Sequence, residues 1–124
     1  MSWKDIKIDC IDEIEKCVGE FQISALDFFE DLYEGDTIHY GTFKVKIYEN
    51  QKSDTNDLNF TGYTNLKLID LTGGFEGGIG FGETIEQALE DTIHNFIDKL
   101  SDFKKLKKKG LDKEDLTLVD YDEF

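Results

Sequence analysis

Between Thr84 and Gly110 the chain carries an apolar stripe that only a long helix can use, and a helix with one such stripe must lay it on another element. Ile85, Leu89, Ile93, Phe96, Ile97, Leu100 and Phe103 fall on that stripe at helical spacing. Thr84 with Gln87 three residues on forms a capping box at the start. Lys104, Lys105, Lys107, Lys108 and Lys109 put cations at the negative end of the helix dipole, and Gly110 ends it.

The segments before this helix supply its platform. Residues 37–49 alternate, with Phe43, Val45 and Ile47 on one face and Lys44, Lys46 and Tyr48 on the other. Ile38 and Tyr40 precede them in the opposite phase, so Gly41 is expected at a bulge. After a polar loop from Asn50 to Asp57, Leu58, Phe60, Leu66 and Leu68 share one face of a second strand. Gly73-Gly74 marks a turn into a third strand, Phe75 to Phe81. These three strands predict an antiparallel meander.

The N-terminal region reads as helix. Ile6, Cys10, Ile14, Cys17, Val18 and Phe21 lie at steps of mostly three or four after Trp3, and Ser2 with Asp5 gives a capping box. Gly19 weakens the pattern, and Ser24 to Asp27 offers a second cap before Leu26, Phe28, Phe29, Leu32 and Tyr33, so the region is one bent helix or two, ending at Gly35-Asp36. On such a helix Cys10 and Cys17 stand about 10.5 Å apart along the axis, too far for a disulfide, and are expected as buried reduced thiols. The predicted fold class is α+β, ordered α-β-β-β-α, with both helical regions on one face of the meander. Residues 1–110 form the domain and 111–124 an acidic tail whose Leu116, Leu118 and Val119 could dock.

Charge narrows the function classes. The 124 residues hold 28 acidic against 14 basic side chains, a net charge of −14, and every basic residue is lysine. Arginine is the preferred fork for phosphate and base edges, so its absence, with that charge, argues against direct nucleic-acid binding. No apolar run is long enough to span a bilayer and no signal peptide opens the chain, which predicts a cytoplasmic protein with no membrane partner.

The glycine-rich run from Gly73 to Gly82 stands before a helix, where a phosphate-cradling loop would sit. Glu83 occupies the place of the lysine such a loop needs, so the glycines are read as serving a tightly packed strand. Glu90, Asp91 and His94 share a helix face, but a single imidazole among carboxylates reads as a surface ion pair, and no metal or cofactor is expected. No serine or cysteine has the neighbours of a nucleophile, so the chain is not expected to be an enzyme.

The run Gly78-Ile-Gly80-Phe-Gly82-Glu-Thr84-Ile-Glu-Gln-Ala88 resembles the strand-to-helix step of the double-stranded RNA-binding domain, which implies the α-β-β-β-α order. Glu83, Glu86 and Gln87 stand where that family has basic residues, so RNA binding is not implied. The same run is similar to the Gly-x-Thr-x-x-Gln-Ala-Leu step of HicB-type antitoxins. As a type, this acidic chain without arginine or proline resembles the inhibitors that phages and other mobile elements make against host nucleases, the anti-CRISPR and anti-restriction proteins. That resemblance implies nucleic-acid mimicry in a bacterial cytoplasm, with a CRISPR or restriction nuclease as protein partner. The carboxylates expected to carry it are Asp9, Asp12, Glu13, Glu20, Glu30 and Asp31, followed by Glu86, Glu90 and Asp91. The alternative is an immunity protein or antitoxin that neutralises a basic toxin.

Overall fold

The computed structural model describes residues 2–24, 42–51, 59–70, 72–107 and 115–118. Four antiparallel strands follow one another in space as in sequence: β1 (Glu15–Ser24), β2 (Thr42–Asn50), β3 (Phe60–Ile69) and β4 (Phe75–Gly82). Helix α1 (Ile85–Lys107) follows β4, and β5 (Leu116–Leu118) pairs with the far end of β3. The fold is α+β, an antiparallel sheet carrying a C-terminal helix.

Among the described residues of the N-terminal region, 2–24, no α-helix forms. A single 3-10 turn, Trp3–Asp5, is followed by extended chain and then β1. The capping box exists, with the Ser2 hydroxyl accepting from Lys4 N–H and Asp5 Oδ2 accepting from Ser2 N–H at 3.1 Å, but it caps only that turn. The physical reason lies across the sheet: Gly19, Phe21 and Ile23 oppose Ile47, Val45 and Phe43, completing an apolar face that a helix here would leave open. A bulge at Cys17/Gly19 shifts the alternation by one residue, so the apolar positions imitate helical spacing. Cys10, in the loop before β1, and Cys17, on β1, are consequently exposed free thiols, not buried thiols of a helix. The sheet thus has four strands in its meander where three were expected, and among the described residues the order is β-β-β-β-α-β in place of α-β-β-β-α. The second helical segment, 25–34, and Gly41 lie outside the described residues.

β2, β3, β4 and α1 fall where their patterns place them, whereas β5 forms in the segment read as an acidic tail without a stable period. Phe43, Val45 and Ile47 of β2 are buried, as are Leu66 and Leu68 of β3, Ala88, Phe96 and Leu100 of α1, and Leu116 of β5. Phe43 and Phe96 meet edge to face with centroids 5.3 Å apart. Each large side chain buried this way contributes on the order of 1.5–3 kcal/mol. The Gly73-Gly74 turn is held by Asp70, whose Oδ1 accepts from Thr72 N–H, the Thr72 hydroxyl and Gly74 N–H. These bonds, the Thr72 hydroxyl first, hold the Asp70 carboxyl below its ordinary value.

Glycine sets the distance between helix and sheet. A Cβ on Gly80 would lie 2.6 Å from Thr92 Cα, and one on Gly78 2.5 Å from Phe96 Cβ. Gly62 and Gly82 are closed off in the same way by Thr92 and Ala88. The glycine-rich strand is therefore a packing surface, as its sequence suggested. Where the β3–β4 ladder is irregular, the buried Thr64 hydroxyl accepts from Gly78 N–H and donates to the Leu66 carbonyl, both at 2.8 Å.

Candidate functional site

Helix α1 carries three rows of side chains with different duties. Its start is capped by Thr84, whose hydroxyl accepts from Gln87 N–H at 3.1 Å, while Gln87 Oε1 accepts from Glu83 N–H at 3.0 Å. Ala88, Thr92, Phe96 and Leu100 face the sheet and are buried. Asp91, Asn95 and Lys99, four apart, reach the outer edge of β4: Asp91 accepts from Phe81 N–H at 2.9 Å, Asn95 from Ile79 N–H at 3.1 Å, and Lys99 donates to the Gly77 carbonyl at 3.2 Å. This row satisfies backbone groups that an edge strand otherwise offers to another chain. Lys99 also pairs with Glu76 at 2.6 Å.

The third row, Glu86, Glu90, His94, Asp98 and Asp102, is exposed throughout and also runs in steps of four. At 1.5 Å per residue it extends over about 24 Å. Glu90 faces His94 at 3.7 Å, the surface pair expected from sequence. Among the described residues no ion pair neutralises Glu86, Asp98 or Asp102. Where this row meets the end of β4, a shallow concavity of about 430 Å³ is lined by Phe81, Glu83, Gln87, Glu90, Asp91 and His94.

The carboxylates expected on an N-terminal helix do not share one face. Asp9, Asp12 and Glu13 lie on an exposed loop between the first turn and β1. Glu20 is on β1 opposite Lys46, on the sheet face turned away from α1. Glu30 and Asp31 are outside the described residues. Of the second group, Glu86 and Glu90 are on the exposed row, whereas Asp91 is committed to Phe81 N–H.

The N-terminal loop is closed by one side chain. Gln51 Nε2 donates to the Ile6 carbonyl at 2.8 Å and the Lys4 carbonyl at 3.2 Å, while its Oε1 accepts from Ile14 N–H at 3.0 Å. Lys4 adds an ion pair to Glu49 at 2.8 Å. Inside the clamp, Cys10 takes a φ of 78°, and Ile8 and Ile11 are 60% and 52% exposed. Sequence reading missed this loop. Its available signal was that Ile8 and Ile11 fall off the stripe assigned to a helix; nothing in sequence marked Gln51.

On the sheet face away from α1, Cys17, Tyr48, Thr61 and Phe81 form one cross-strand row, and Glu20, Lys46, Tyr63 and Ile79 the next. Tyr48 and Tyr63 meet edge to face at 5.8 Å. Burial pushes both phenols above their ordinary value of 10.0; Cys17, Glu15 and Glu20 add to this at Tyr48, and Glu15, Tyr48 and Glu13 at Tyr63.

Among the described residues no group of three or more His, Cys, Asp or Glu side chains could hold a metal ion, and no helix is long and apolar enough to cross a membrane. Comparison with models of protein families, with curated proteins and with solved structures finds no match.

Proposed function

We propose that this chain is a non-enzymatic binding protein that lays the carboxylate row of α1 on the basic, nucleic-acid-binding surface of an enzyme, of the type of a CRISPR or restriction nuclease, and so inhibits it. The observation that carries this reading is the row itself. Glu86, Glu90, Asp98 and Asp102 are exposed on one regular helix over about 24 Å, and among the described residues no lysine is paired with them. A lysine- and arginine-lined channel meets phosphates at regular intervals, and regularly spaced carboxylates compete for the same cations. The net charge of −14 adds long-range steering toward such a channel.

The test is displacement of labelled DNA from a purified nuclease together with loss of cleavage. The variant Glu86→Gln, Glu90→Gln, Asp98→Asn and Asp102→Asn removes the charge and keeps the fold; Asp91 is left intact because β4 uses it. Binding by the native chain is expected to weaken steeply as salt rises, and the variant to bind at least tenfold more weakly at low salt. Affinity that stays flat between low and high salt would sink the mimicry.

A second reading, an immunity protein or antitoxin that blocks a basic toxin by apolar contact, is favoured by the exposed Ile8 and Ile11. It differs in being little affected by salt and by the α1 variant.

A further inference from the structure

The N-terminal loop has the features of a built receptor site and not of a loose connection. Ile6, Ile8 and Ile11 line a concavity of about 340 Å³ together with Gln51, Asp9, Asp12, Lys7 and Lys4, the last of these paired with Glu49. That volume is more than twice the roughly 150 Å³ that accepts a benzene ring, enough for one or two large apolar side chains. The walls are preorganised, because the Gln51 amide ties the carbonyls of Lys4 and Ile6 to the N–H of Ile14 and so fixes both ends of the loop. Cys10 is the only described non-glycine residue with a positive φ, and it sits at the loop's tip.

Charge selects what would enter. From Ser2 to Glu15 the chain holds two lysines against five carboxylates, and Lys4 is already held by Glu49. An acidic peptide, a nucleic acid or an anionic lipid would meet the net negative charge of this segment and of the whole chain. A second copy of this strongly acidic chain would meet it too. A cationic segment would be attracted, and its apolar side chain would find isoleucine walls.

We infer that the Ile6–Ile11 concavity binds a basic segment of a partner protein, taking one large apolar side chain between the isoleucines while Asp9 and Asp12 pair with flanking lysines or arginines. The site stands apart from the α1 row and does not depend on that row being an inhibitory surface. An apolar anchor with carboxylates beside it supplies the residence time that a purely electrostatic contact lacks.

The probe is a short fluorescein-labelled peptide with one phenylalanine flanked by lysines, titrated with the full chain and read by anisotropy. Saturable binding is expected to weaken about tenfold or more when Ile8→Ser and Ile11→Ser are combined, as burial of one apolar side chain requires. It should weaken similarly with Asp9→Asn and Asp12→Asn, and when serine replaces the phenylalanine of the peptide. Leu106→Ser, at a leucine 78% exposed near the end of α1, should leave binding within twofold, as should Glu86→Gln with Glu90→Gln. The substituted isoleucines are exposed, so these variants keep the fold, and far-ultraviolet circular dichroism checks this. Absence of saturable binding, equal affinity for the serine peptide, an isoleucine variant that binds like the native chain, or an equal loss with Leu106→Ser each overturns the site. Failure of the α1 row appears instead in the nuclease assay and leaves the peptide result unchanged.

Discussion

Substituting Gly80 by alanine tests whether glycine fixes the separation of α1 from the sheet. The added Cβ would stand 2.6 Å from Thr92 Cα, about 1 Å inside the roughly 3.5–4.0 Å at which carbons rest against each other. Both partners are backbone, so no rotamer change relieves the overlap, and either the helix or β4 must move. Replacing glycine in a strand gains about 0.5–1 kcal/mol of chain entropy, whereas overpacking of a closed core costs about 1–3 kcal/mol and occasionally more. With a rigid partner the upper end applies, and the net loss is about 2 kcal/mol or more. For a chain of this length that lowers Tm by roughly 8 °C, at about 4 °C per kcal/mol. Urea unfolding of the same variant should show a lower midpoint with an unchanged slope. Thr92→Ala, which removes the hydroxyl and leaves the Cα, should not rescue it. Gly73→Ala is the comparison: Gly73 has a φ of 87° and open space around it, so alanine there meets only conformational strain of about 1–2 kcal/mol. If Gly80→Ala loses no more than 0.5 kcal/mol, or less than Gly73→Ala, the close-packing argument is wrong.

Gln51→Ala opens the clamp on the N-terminal loop; with two of its bonds at 2.8 and 3.0 Å, the loss is about 1–2 kcal/mol locally, so tryptic cleavage after Lys7 should quicken roughly tenfold, and unchanged cleavage would show that the clamp holds nothing. Tyr48 and Tyr63 should titrate later in the folded chain than in urea when phenolate absorbance is followed, with Tyr48→Phe and Tyr63→Phe assigning the late steps. Because their folded values are raised, the stability they contribute is full below pH 10.0 and is lost as pH rises through the folded values; coincident native and denatured titrations would refute the packing assigned to this face.

What sequence could reveal divides along contact range. The capped α1, the alternation of β2 and the turn at Gly73-Gly74 are written in neighbouring residues, and all three stand where the patterns put them. The packing duty of Gly78 and Gly80 was legible as well, because a glycine run without a phosphate-binding lysine has few other uses. The N-terminal strand was not legible. Its alternation is interrupted by the bulge at Cys17/Gly19, and the decisive term is the pairing of Phe21 with Val45 and Ile23 with Phe43, which no local window contains. Losing that helix also takes Asp9, Asp12, Glu13 and Glu20 off a common helical face. Carboxylates placed on one imagined face were dispersed to a loop and to the far side of the sheet, while the chemistry of the loop itself depends on Gln51, some forty residues away in sequence.

The two polar rows of α1 separate acidity that the fold needs from acidity that it bears as a cost. Asp91 closes an edge amide, and its row, with Asn95 and Lys99, guards β4 against pairing with another chain. The exposed row does the opposite. Glu86 with Glu90 and Asp98 with Asp102 are like charges four residues apart, each pair unfavourable by about 0.2–0.5 kcal/mol, and the two aspartates lie in the half of the helix nearer the negative end of its dipole. Solubility does not require this arrangement, since the same charges interleaved with lysine would solvate the surface without the repulsion. On the proposed reading, a basic partner surface would relieve the repulsion along this row, which among the described residues no lysine neutralises at Glu86, Asp98 or Asp102.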